Sequence, residues 1–236
     1  MHLQLENRLL LMQRIPEPEL MLDEAQVLAY AEADFAEPHD HLINLLLERF
    51  PDLPESPAAL DLGCGAGDIS RRFARALPQA TVHGVDGSPA MLKIAKRMTR
   101  EEGLQQRVTF AEVLLPAPAP VGVGCDLIFS NSLLHHMADP HAFWGTVRNW
   151  AGSSGRVFVM DLLRPPSQEV AAEFVSRYSG SEPEVLRTDF FNSLCAAFEV
   201  SEVEAQLDRA GLGSLQIETV SDRHFIVWGS APQSLS

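Results

Sequence analysis

The sequence predicts an α/β fold built on a doubly wound, mainly parallel sheet. Three observations carry that prediction. Residues 58–70 (AALDLGCGAGDIS) run from a short apolar stretch through three alternate glycines, Gly63, Gly65 and Gly67, into a segment with helical spacing of its apolar residues. Short apolar stretches at 81–85, 107–111, 125–130 and 156–160 then alternate with amphipathic segments, as strands alternate with crossover helices. A glycine turn at the carboxyl end of such a strand is where these sheets place nucleotides.

The glycines matter because a residue without Cβ tolerates positive φ and lets backbone pass close to a ligand. The second strand, Thr81 to Val85, ends at Asp86, about 20 positions after the turn, where a carboxylate accepts two hydrogen bonds from a ribose diol. Ser88 and Pro89 then open a helix, one as N-cap and the other at the first helical position.

Taken together, DLGCGAG and the following GVDGSPAML resemble motif I and the region after it in class I S-adenosylmethionine-dependent methyltransferases of the small-molecule type. The resemblance covers roughly residues 55–161 and the last helix and two strands. It implies a seven-stranded Rossmann-like sheet of order 3-2-1-4-5-7-6 with the last strand antiparallel. It implies S-adenosyl-L-methionine as cofactor, lined by Asp61, Gly63, Gly65 and Gly67, with Asp86 on the ribose and Gly87 and Ser88 beside it. The family's adenine-contacting acid falls near Leu114, which leaves Glu112 and the backbone of Val113 for that contact. Asn131 and Ser132, after the fourth strand, face the pocket floor.

Two rival readings stand beside it. A nicotinamide or flavin site carries G-x-G-x-x-G/A. Counted from Gly63, the sixth position is Asp68, and a carboxylate there opposes a pyrophosphate at the helix N-terminus. A catalytically silent, partner-binding version of the fold is opposed by the intact glycine turn and by Asp86.

Bulk properties narrow the class. The 236 residues suit one large domain, or one domain with a cap, and mean hydropathy is close to zero. Against 18 Lys and Arg stand 32 Asp and Glu, a net charge of −14 that disfavours nucleic acid and favours a small-molecule acceptor or a basic protein partner. Neither a signal peptide nor a run of about 20 apolar residues is visible, and Cys64, Cys125 and Cys195 are widely spaced. These features predict a cytoplasmic protein off the membrane, a monomer or homodimer.

The expected organisation is an N-terminal helical lid over residues 1–55 and a methyltransferase domain over 56–236, with a helical cap at 162–198 inside it. Helices are predicted over 3–15, from Asp23 to a break at Pro38, and over 39–50; Tyr30, Asp34, His39 and His41 are the lid's polar candidates. After the fourth strand, NSLLHHM replaces the (Asp/Asn)-Pro-Pro-(Tyr/Phe) of adenine-N6 enzymes, and no Pro-Cys nucleophile is present. His135 and His136 are candidate general bases, since imidazole titrates near neutrality; in the family one such histidine usually packs under the cofactor. No carboxylate stands beside them at ligand spacing, so no metal site is predicted with His141. Asp161, ending the fifth strand, either orients the acceptor or caps its loop. The cap concentrates Arg164, Arg177, Tyr178, Arg187 and Asn192, which read as an anion site for an acceptor carboxylate or as partners for the cap's own glutamates. Ser201 is the expected cap of the last helix, which Gly211 closes; strands follow at 214–220 and 224–228.

The predicted activity is methyl transfer from S-adenosylmethionine to N, O or S of a small molecule.

Overall fold

The computed structural model describes residues 12–17, 35–118, 125–151 and 155–231. Its strands are β1 (Ala58–Leu62), β2 (Thr81–Asp86), β3 (Val108–Glu112), β4 (Leu127–Asn131), β5 (Arg156–Leu162), β6 (Gln216–Thr219) and β7 (His224–Ser230). The helices are α1 (Ala36–Arg49), α2 (Asp68–Ala76), α3 (Pro89–Glu101), α4 (Pro140–Trp150), α5 (Gln168–Tyr178), α6 (Glu184–Ala196) and α7 (Val200–Ala210). A 3₁₀ turn spans Leu134–His136.

The strands form one sheet of order β3-β2-β1-β4-β5-β7-β6, as the resemblance implied. The pairs β1–β2, β1–β4, β2–β3 and β4–β5 are parallel, whereas β7 runs antiparallel to both its neighbours. Side chains alternate across the sheet. Leu60, Leu62, Val157 and Val159 point into one core with Phe143, Trp144 and Val147 of α4 and Val203 and Leu207 of α7. Ala59, Phe158 and Met160 point into the other, with Phe73 of α2 and Leu42 and Leu46 of α1. With both faces covered, the ligand crevice is left at the carboxyl ends of the parallel strands.

Local signals account for most helix ends. The side chains of Ser88, Asp139 and Ser167 accept hydrogen bonds from the first turns of α3, α4 and α5. Gly211 closes α7 in the left-handed region.

The differences from sequence expectation are local. Pro38 does not break a helix: α1 begins at Ala36 and carries Pro38 in its first turn, where a missing N–H costs nothing. Residues 12–15, expected at the end of a helix, have no regular structure. The rest of that helix, and the one from Asp23 with Tyr30 and Asp34, lie outside the described residues. α7 is capped by a reciprocal Glu199–Glu202 box rather than by Ser201. From the segment 1–55, α1 is a core helix on the sheet face, with Leu42 and Leu46 almost completely buried. The cap holds two helices, α5 and α6, and α6 packs against the 3₁₀ turn that carries the histidines.

Candidate active site

Two clusters occupy the carboxyl ends of the strands. The first is the glycine turn. Gly63, Gly65 and Gly67 all have positive φ, at 70°, 50° and 73°. A Cβ on Gly67 would lie 2.7 Å from the Phe110 ring, so this glycine lets α2 approach the sheet closely. A Cβ on Gly65 would meet nothing within 4 Å, so the middle of the turn faces open space.

Asp86 organises this turn. One carboxylate oxygen accepts from the Gly65 N–H at 2.8 Å and the other from the Ser88 N–H at 2.7 Å. Asp61 lies beneath, 2% exposed, accepting from the Ser70 hydroxyl. Burial, with Asp86 nearby, pushes the Asp61 carboxyl up to about 7. Burial raises Asp86 as well, against the two backbone N–H groups that favour its charge. No cation acts on either carboxylate among the described residues. Two desolvated carboxylates beside an open glycine turn suit a cationic ligand, and S-adenosylmethionine carries a sulfonium and an ammonium group. They oppose the pyrophosphate of a dinucleotide.

Asp68 supports the same choice. Its oxygens receive His39 Nδ1 at 2.7 Å, Arg72 Nε at 2.7 Å and Arg71 Nη2 at 3.3 Å. Although burial works against its charge, these partners hold the carboxyl far below its usual range. A fixed anion therefore sits at the start of α2. His39 is tied to Asp68, which fastens α1 to α2 instead of serving an acceptor.

At the other candidate cofactor positions, Glu112 ends β3 and is exposed, Val113 donates its N–H to the Asp86 carbonyl, and Leu114 is 61% exposed. Gly87 follows β2. Asn131 ends β4, and Ser132 has a φ of 53°, a strained value for a residue with a side chain. Leu133 fills the space over Gly63 and so packs the glycine turn against the histidine turn.

The second cluster centres on that turn. His135 Nδ1 lies 2.6 Å from Asp161 Oδ1, and both residues are buried. Asp161 also accepts from the N–H groups of Leu134 and Leu162, each at 2.7 Å. Burial opposes both charges, yet pairing prevails: Asp161 is lowered and His135 raised. Asp161 thus orients His135 rather than an acceptor. His136 packs against His135, ring centroids 4.2 Å apart, and keeps 27% of its side chain exposed.

Glu17, which the sequence reading did not select, completes this cluster. Its Oε1 lies 3.1 Å from His136 Nδ1 and 3.5 Å from His135 Nε2, and it accepts from the Ser193 hydroxyl at 3.0 Å. Residues 12–17 are held across the cap. Met12 and Ile15 donate N–H groups to the carbonyls of Pro166 and Cys195. Arg14 donates to the carbonyls of His135, Met137 and Ala196 and stacks over Phe198. No local spacing signals this arrangement, because it joins segments far apart in the chain. His224, opposite Leu162 at the start of β7, was also missed; burial, aided by Arg223, holds it down at about 4 and therefore neutral.

The cap residues do not converge. Arg164 is 8% exposed and pairs with Glu199 at 2.8 Å and Glu202 at 3.1 Å. Arg177 and Tyr178 meet Asp222, at 3.6 and 2.6 Å. Arg187 and Asn192 are exposed on α6. Tyr30 lies outside the described residues.

Residues 60–157 match the family model of a methyltransferase domain. The chain is 29% identical over 181 residues to a ubiquinone biosynthesis O-methyltransferase of Xanthomonas axonopodis, covering 74% of this chain and 69% of that one. It is 30% identical over 138 residues to a trans-aconitate 2-methyltransferase of Delftia acidovorans, covering 58% and 48%. The chain spans about half the length of most curated relatives it matches. A solved S-adenosylmethionine-dependent methyltransferase from Aquifex aeolicus shares the fold, with a TM-score of 0.63 at 17% identity over 89% of this chain and all of that one. Residues 60–157 thus match a methyltransferase domain, and the fold is that of a solved S-adenosylmethionine-dependent methyltransferase. No helix among the described residues is long and apolar enough to cross a membrane.

Proposed function

We propose that the protein transfers the methyl group of S-adenosylmethionine to an oxygen atom of a small molecule. The observation that carries this reading is the pair of buried carboxylates, Asp61 and Asp86, without a cation among the described residues, beside the open face of Gly65. When bound, the cofactor supplies an electrophilic methyl on a sulfonium, which an acceptor oxygen takes in an in-line displacement.

This chain's residues do the rest. Asp86 holds the ribose hydroxyls while its own geometry is fixed by Gly65 and Ser88. Asp61 places negative charge under the turn. The histidine turn, packed onto the glycine turn through Leu133, receives the acceptor's polar end. His136 is the exposed member and takes the hydroxyl proton, steadied by Glu17; His135 and Asp161 stand behind as a rigid support. Holding the reactants in line supplies much of the rate.

Oxygen is favoured by the relative named an O-methyltransferase. A carboxylate on the acceptor is favoured by the relative named for trans-aconitate. The test is transfer of labelled methyl to a panel of phenols, carboxylic acids, amines and thiols. Labelling confined to amines or thiols would overturn the oxygen reading.

A further inference from the structure

We propose that Glu17, His135 and His136 form a binding site for one divalent transition-metal cation, of the kind that accepts mixed imidazole and carboxylate ligands, such as Zn²⁺. The three ligand atoms, Glu17 Oε1, His135 Nε2 and His136 Nδ1, all lie within 4.8 Å of one another. Two of the separations are 3.1 and 3.5 Å. Bonds of about 2.0–2.1 Å in a tetrahedral site put ligand atoms about 3.4 Å apart, so little movement is needed to seat an ion. Two histidines and one glutamate leave a fourth position open, the pattern of sites that hold a metal for chemistry rather than for folding.

The surroundings add three independent features. His135 presents its other ring nitrogen to Asp161 at 2.6 Å, the carboxylate–histidine arrangement that fixes a metal-ligating imidazole. Glu17 is itself held by the Ser193 hydroxyl. Carboxylates also outnumber cations around the site: Glu17, Asp161, Asp189, Glu199 and Glu202 stand around Arg14, Arg164 and, when protonated, His135. His136 and Glu17 keep 27% and 11% of their side chains exposed, so an ion enters from the crevice.

The site's use rests on the methyl-transfer reading; its existence does not. Bound there, the ion would hold an acceptor oxygen at its open position and lower the pKa of its hydroxyl, whose proton would pass to bulk water; His136 would then be a ligand in place of proton acceptor.

The full chain, stripped with a chelator, is titrated with Co²⁺ and followed by visible absorption, which reports a tetrahedral site directly. Zn²⁺ competition and calorimetry with S-adenosylhomocysteine are run on the same protein. The expected result is one equivalent of Co²⁺ displaced by Zn²⁺. Affinity falls at least about tenfold in His136→Ala and in Glu17→Gln, and is unchanged in the exposed His141→Ala. Circular dichroism checks that each variant is folded. Absence of a Co²⁺ spectrum in the wild type overturns the site, as does a spectrum unchanged in both ligand variants. Nucleotide binding without metal binding overturns this inference alone; metal binding without nucleotide binding overturns only the methyl-transfer reading.

Discussion

The glycine turn and the histidine turn lie side by side over the same sheet, yet they are made in opposite ways. The first is built from near neighbours. Gly63 to Asp68 and Asp86 to Pro89 supply the turn, the ribose carboxylate, the helix cap and the helix start within two short stretches. The second is built from remote parts: Glu17 and Arg14, the 134–136 turn, Asp161 at the end of β5, and Ser193 on α6. On the proposed function, a cofactor common to many proteins is met by a contiguous motif and an acceptor particular to one by tertiary assembly. The two also differ in charge. Among the described residues the glycine turn keeps its buried carboxylates hydrogen-bonded but without a cation, whereas the histidine turn pairs Asp161 with His135.

That contrast breaks most visibly at Asp161. Asp161→Asn leaves His135 buried without its counter-ion, and loss of one partner of a buried pair costs about 3–5 kcal/mol. Chemical denaturation at pH 6 is expected to show this loss. The pair is strongest where Asp161 is ionised and His135 protonated. It weakens as pH falls through the lowered carboxylate range or rises through the raised imidazolium range. A flat stability profile across both limbs would contradict the pairing.

Asp61→Asn is expected to act in the opposite direction. With its folded value raised from 3.8 to about 7, the folded state holds more protons than the unfolded one. Asp61 therefore lowers stability progressively as pH rises from about 4 to 7. The asparagine variant gains about 2–4 kcal/mol at pH 8 and nothing near pH 4, while binding the cofactor more weakly. Thermal melts at the two pH values check the first part, and titration checks the second.

Gly67→Ala puts a Cβ into the Phe110 ring at positive φ, and is expected to cost about 2–3 kcal/mol by strain and overpacking. The same substitution at Gly65, which faces open space, loses less stability and more cofactor affinity. Equal effects at the two positions would remove the distinction between packing and binding glycines. Asp86→Ala is the smallest of the set, about 1–3 kcal/mol of cofactor affinity in a folded protein, read by titration.

The same division explains what the sequence made legible. The glycine turn, the Ser88 cap and the alternation of strands with helices are encoded by local pattern, whereas the strand order came with the family resemblance. Pro38 misled because a first helical turn tolerates proline as readily as a helix end does. Glu17 was hidden because the groups it meets, His135, His136 and Ser193, lie far away in the chain. Arg164 looked available because its partners, Glu199 and Glu202, lie a helix away in the chain.

The central claim is that the glycine turn is a site for an adenosyl amino acid and not for a dinucleotide. Calorimetric titration of the full chain with S-adenosylhomocysteine, with NAD in parallel, tests it most directly. The account predicts saturable one-to-one binding of the first and no detectable heat from the second. Binding of NAD, or of neither in a protein shown to be folded, would contradict it.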